Sequence, residues 1–208
     1  MRRVIATVLA LGFLLGMRHA TDPDHVVAVS TIVTRQRTLR DGVWMGAAWG
    51  LGHTVTIILV GGAIVTFRLV IPPALELTME MTVGLMLIVL GVWNITSVVQ
   101  RAREALGVLR PLVVGLVHGL AGSAGVALLV LTTIGEPRWA LAYLVLFGVG
   151  TIVGMMLITL VIAAPVMAAS RRLANVAGHL RVASGLLSLG FGLLLVYRIG
   201  FVSGLLVP

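Results

Sequence analysis

The chain has no cysteine and no lysine, and it carries little charge of either sign. Each shortage removes a class of function. Without cysteine there are no thiolate metal sites, no disulfides and no thiol redox chemistry. Without lysine there is no Walker-type phosphate loop, which argues against nucleotide hydrolysis. Charged residues make up 11% of the 208 positions and hydrophobic residues 59%, with a mean hydropathy of +1.13. Soluble domains carry roughly 25% charged residues. All 15 basic residues are arginine, against 7 acids. They lie mostly in short stretches between apolar runs, not gathered as a nucleic-acid-binding face would gather them. The length of those runs predicts an all-α polytopic membrane protein, not a barrel. One membrane domain accounts for residues 1–208.

Six spans are predicted, near 4–34, 43–67, 75–99, 111–133, 139–169 and 182–201. Each reaches the ~20 residues that cross a hydrocarbon layer. The first and fifth are long enough to be broken or strongly tilted. Met1-Arg2-Arg3 and the apolar run after it have the form of a secretory signal, but no small-x-small site closes the run. The reading is therefore a retained first span. Arg35, Arg37 and Arg40, then Arg101, Arg103 and Arg110, then Arg171, Arg172 and Arg181 follow spans one, three and five. The positive-inside rule puts these loops in the cytoplasm and both termini outside, in the inner (plasma) membrane.

The two halves resemble each other. Gly16-Met17-Arg18-His19 aligns with Gly115-Leu116-Val117-His118, Trp49-Gly50-Leu51-Gly52 with Phe147-Gly148-Val149-Gly150, and Gly84 and Gly91 with Gly185 and Gly192, at an offset near 100. Units of three spans insert in opposite senses. The expectation is two inverted three-helix repeats, about 4–100 and 108–201, with a site at their interface.

Chemistry concentrates in Arg18-His19-Ala20-Thr21-Asp22-Pro23-Asp24-His25. Ionisable groups at membrane depth are costly and mark ion or proton sites. On an unbroken helix His19 and His25 would stand ~9 Å and about 120° apart, too far to share an ion. Pro23 removes the partner of the His19 carbonyl, and Asp22-Pro23 reads as an N-cap and first helical residue. The first span should therefore break near Thr21–Asp22, fold the two imidazoles together and free backbone carbonyls. Imidazole with carboxylate suits Ni(II), Co(II), Cu(II), Zn(II) or Fe(II). His53, within Gly50-Leu51-Gly52-His53-Thr54, and His118, the repeat partner of His19, are further candidates. Plainer roles compete: His53 or His118 hydrogen-bonded to a neighbouring helix, Asp24 paired with an arginine, Arg18 paired with Asp22 four residues on. His179 reads as interfacial. Trp44, Trp49, Trp93 and Trp139 read as an aromatic belt.

The segment from Arg18 to Val26 resembles the signature of the nickel/cobalt transporter (NicO) superfamily, Arg-His-Ala-x-Asp-Ala-Asp-His before an aliphatic residue, with Pro23 in place of an alanine. Gly52-His53-Thr54 resembles its second motif. The Asp-Thr motifs of the second half are absent, so the likeness is to the shorter, urease-accessory-type branch. The resemblance implies a metal permease with His19, Asp22, Asp24, His25 and His53 in the ion path. His118 joins them through the repeat. The resulting expectation is a secondary transporter, not an enzyme, moving Ni(II) or Co(II) with no permanently bound cofactor. Efflux of the same ions, or membrane help in maturing a urease-type metalloenzyme, are the alternatives. The expected partners are the metal ion and the lipid bilayer, with no nucleic acid and no nucleotide. A homo-oligomer or a maturation partner is left open.

Overall fold

The computed structural model of the protein describes residues 2–34, 36, 38–96, 109–119, 134, 136–172 and 176–206. The regular structure among the described residues is all helical, with no strand. The helices are α1 (Arg2–His19), α2 (Pro23–Val33), α3 (Leu39–Phe67), α4 (Pro73–Ile95), α5 (Leu109–His118), α6 (Pro137–Arg172) and α7 (Val176–Tyr197). A π-helical turn, Arg198–Val202, continues α7.

Local chemistry sets the boundaries. The Thr38 side chain accepts from the Asp41 amide and caps α3, which ends on Arg68 in the left-handed region at φ 52°. Pro73 and Pro137 open α4 and α6, where a missing N–H costs nothing. α6 continues through Pro165. The fifth predicted span is thus one uninterrupted helix.

Among the described residues, four helical stretches are long and apolar enough to cross a membrane: Leu39–Phe67, Pro73–Ile95, Pro137–Ala169 and Val176–Val202. They correspond to the second, third, fifth and sixth predicted spans. The first predicted span is two shorter pieces, α1 and α2, neither meeting that length and composition alone. Of the fourth, α5 and Gly119 are described; its remainder lies outside the described residues, as do Arg35, Arg37, Arg101, Arg103, Gly122, Ser123 and Gly125. Large apolar side chains such as Leu59, Phe67, Val161, Leu186 and Leu194 point outward. Such a surface suits a lipid environment, and the chain is an integral membrane protein.

α6 is the spine. α1 and α3 both pack along it, α5 lies on α3, and α4 pairs with α7. Glycines make these approaches possible. A Cβ on Gly16 would run into the Phe147 carbonyl, and one on Gly115 into the Trp49 carbonyl. Gly150 meets the Phe13 carbonyl, and Gly52 meets that of Leu112. Gly91 and Gly185 each face the other's carbonyl, as do Gly84 and Gly192. Interhelical hydroxyls add to the packing: Thr54 Oγ1 donates to the Gly148 carbonyl (3.0 Å), Thr56 Oγ1 to Leu116 (2.9 Å) and Ser188 Oγ to Leu87 (2.8 Å). Asn94 Nδ2 donates to Ser184 Oγ (2.8 Å) and the Arg181 carbonyl (3.0 Å), joining α4 to α7.

Candidate metal centre

The first span does break where Pro23 predicts. α1 ends at His19, Asp22 is extended (φ −60°, ψ 144°), and α2 starts at Pro23. The turn between them is tight: Thr21 N–H donates to the Arg18 carbonyl (2.8 Å) and Asp22 N–H to the His19 carbonyl (3.0 Å). This corrects one expectation. The His19 carbonyl is not freed, because a shorter-range bond at the helix end takes up what Pro23 cannot supply. Asp22 occupies the N-cap position but makes no side-chain cap. Its carboxylate instead accepts from His19 Nδ1 at 2.8 Å, and not from Arg18 as the spacing of four suggested.

The break brings His19 and His25 together, with ring centroids 4.6 Å apart. His53 reaches them from α3 and His118 from the end of α5. All four rings are buried, three of them with no exposure at all. His19 Nε2 and His53 Nε2 lie 3.0 Å apart. Asp24 bridges the other side: Oδ1 accepts from the His25 amide (3.0 Å) and lies 3.2 Å from His25 Nδ1, while Oδ2 accepts from His118 Nε2 (3.0 Å). Among the described residues, Asp24 thus pairs with imidazoles, not with an arginine. Its side chain is 15% exposed, against 38% for Asp22.

Two sets of donors are close enough to share a cation. One nitrogen each from His19, His25 and His53, and one donor each from Asp24, His25 and His118, lie within 4.8 Å of one another in their set. Two donors ~2.1 Å from one ion and at right angles to each other stand about 3.0 Å apart. That is the spacing found here for His19–His53 and Asp24–His118. Three ring nitrogens, His25 Nε2, His53 Nδ1 and His118 Nδ1, are buried without a hydrogen-bond partner among the described residues. Such groups are expensive unless something binds them. Asp22 stands outside both sets and orients His19, as carboxylates behind metal-binding imidazoles do. His179 is exposed and belongs to neither set.

Trp49 is the residue that sequence reasoning misplaced. It is not in a belt at a span end: it is fully buried, with its ring stacked at 23° and 6.3 Å on His25. A signal existed, because Trp49 precedes His53 by one helical turn and so shares its face. Phe147 closes the side of His19, ring centroids 5.5 Å apart. Trp44 is exposed, and Trp93 and Trp139 lie beneath Arg110 and Arg138.

Comparison with known proteins brings the chain into relation with a family. Residues 5–108 match NicO, described as high-affinity nickel-transport protein. The urease accessory protein UreH of Bacillus sp. (strain TB-90) is 31% identical over 218 residues, covering 97% of this chain and 95% of that protein. A Methanocaldococcus jannaschii protein named as a candidate nickel/cobalt efflux system is 28% identical over 151 residues, 69% of this chain and 70% of its own length. The chloroplast protein FOR GROWTH AND FERTILITY 2 of Arabidopsis thaliana is 24% identical over 219 residues, and the chain spans 58% of its length. No solved structure matches the chain.

Proposed function

The chain belongs to the NicO family of nickel-transport proteins, and from that premise we propose that it is a secondary transporter of divalent transition-metal ions, nickel or cobalt foremost. His19, Asp22, Asp24, His25, His53 and His118 form the ion's path, with Asp22 acting through His19. One observation carries this reading: four buried imidazoles and a carboxylate converge on the break between α1 and α2. His53 is the fifteenth of the 29 residues of α3, so about 21 Å of helix extends on either side of the cluster. That is mid-membrane depth, where such groups are retained for function.

The glycine contacts support two inverted repeats. Gly16 meets Phe147 as Gly115 meets Trp49, Gly150 meets Phe13 as Gly52 meets Leu112, and the α4–α7 contacts are their own counterparts. Each contact maps onto another at an offset near 100, as a two-fold relation between the halves requires. Alternating access by rocking of the halves about the cluster follows from that architecture. Inward movement of a dication needs no nucleotide: a potential of 100 mV supplies about 2 × 2.3 kcal/mol. The starts of α3, α5 and α7, which carry Arg40, Arg110 and Arg181, face the cytoplasm, and the protein acts as a carrier, not as an enzyme.

The test is uptake of radiolabelled nickel into proteoliposomes holding the purified chain, with cobalt, zinc, iron and manganese as competitors. Wild-type protein should accumulate nickel down an imposed potential, and His19→Ala with His25→Ala should not. Uptake equal to that of empty liposomes would end the proposal. The names of two relatives favour second readings. Export is tested by the metal sensitivity of a deletion strain. Service to urease-type maturation is tested by loss of enzyme metallation in that strain and its rescue by excess nickel.

A further inference from the structure

We propose that the cluster holds two overlapping cation positions that share His25, and that a transported ion passes from one to the other. The inference rests on the transport reading above. The first position is His19, His25 and His53; the second is Asp24, His25 and His118. His25 alone belongs to both sets. Its two nitrogens meet different surroundings. Nδ1 lies 3.2 Å from Asp24 Oδ1, whereas Nε2 is buried with no hydrogen-bond partner among the described residues. The other three imidazoles surround this ring, at centroid distances of 4.1 Å to His118, 4.6 Å to His19 and 5.1 Å to His53. His53 and His118 are farther from each other, at 5.8 Å, than either is from His25.

The two positions differ in chemistry. The first offers three imidazoles and no charge; the second offers two imidazoles and a carboxylate. Two doubly charged ions a few ångströms apart repel strongly, so one position is filled at a time. An ion moving between them keeps His25 while His19 and His53 give way to Asp24 and His118. It is therefore never without a ligand at the depth where a bare cation is most costly.

The experiment uses the purified full chain. Co(II) binding is followed by titration calorimetry and visible absorption, and radiolabelled nickel uptake is followed in proteoliposomes. H53A removes the first position, H118A the second, and H25A both. H53A and H118A should each still bind one Co(II) with Kd within about tenfold of wild type, because one of two alternative positions survives. Their absorption spectra should differ, since one retains a mixed nitrogen–oxygen set and the other only nitrogen. Both should lose at least tenfold in transport, and H25A should lose more than a hundredfold in binding. The inference is overturned if H53A or H118A abolishes binding as completely as H25A, if the two spectra coincide, or if either variant transports at the wild-type rate. Failure of the underlying reading looks different: the wild-type protein itself would neither bind nor move the ion. Where an alanine variant is not monodisperse, H53N and H118N carry the same comparison.

Discussion

Gly115→Ala tests how tightly the packing of α5 governs the cluster. An added Cβ would stand 2.9 Å from Trp49 Cδ1 and 3.0 Å from the backbone nitrogen of His53, and closer still to the Trp49 carbonyl. Carbon contacts settle at about 3.5 Å, so α5 must retreat from α3 by more than ~0.5 Å. The obstacles are backbone and a fully buried tryptophan, so neither can yield cheaply. Overpacking of this kind costs about 1–3 kcal/mol. His118 follows Gly115 by three residues on the same helix face, and its 3.0 Å bond to Asp24 stretches with the retreat. A misplacement approaching 1 Å costs on the order of a hundredfold where geometry governs a rate. The expected result is therefore a clear fall in thermal stability in detergent together with near-complete loss of nickel uptake, although no donor atom has been removed. Gly190→Ala is the control, because nothing stands within 4 Å of a Cβ there. It should leave transport intact and stabilise α7 by about 0.5–1 kcal/mol. Wild-type uptake and unchanged melting for Gly115→Ala would refute the reasoning.

Three further outcomes are expected. Pro23→Ala should keep metal binding and transport within about twofold of wild type and cost only about 0.4–1 kcal/mol by thermal unfolding, because the His19–Asp22 contact and two turn hydrogen bonds also hold the break; a tenfold loss of transport would make the proline indispensable. Trp49→Ala should destabilise by about 3–5 kcal/mol, and Trp49→Phe, which keeps a ring against His25, by measurably less; equal melting temperatures for the two would mean that the stack is idle. The natural absence of cysteine allows single-cysteine labelling in cells: Gly178→Cys should react with an impermeant thiol reagent only after the cytoplasmic side is opened, and Val70→Cys without opening, whereas the reverse pattern would invert the topology.

The parts that sequence reading reached are those governed by composition and by proline. Apolar runs located four long helices because hydropathy and burial in lipid are nearly the same quantity. Asp22-Pro23 located the break because a missing N–H and a restricted preceding residue act locally. What escaped depends on turn geometry and on polar helix starts that hydropathy does not register. Whether Asp22 caps α2 or turns back to His19 is decided by how far the turn at Ala20–Thr21 rotates α1. Trp49 looked like a belt residue because the depth of a side chain within α3 depends on where that helix begins. It begins at Leu39, four residues before the apolar run, since Thr38 and Asp41 supply a polar first turn that hydropathy does not register. α7 likewise starts at Val176, through a polar turn that includes His179 and Arg181.

The abutting ends of α1 and α2 carry an electrical consequence. The carboxyl end of one helix brings a partial charge of about −0.5 and the amino end of the next about +0.5. Meeting across the three residues between His19 and Pro23, these largely annul each other, so the backbone neither lures nor rejects a cation.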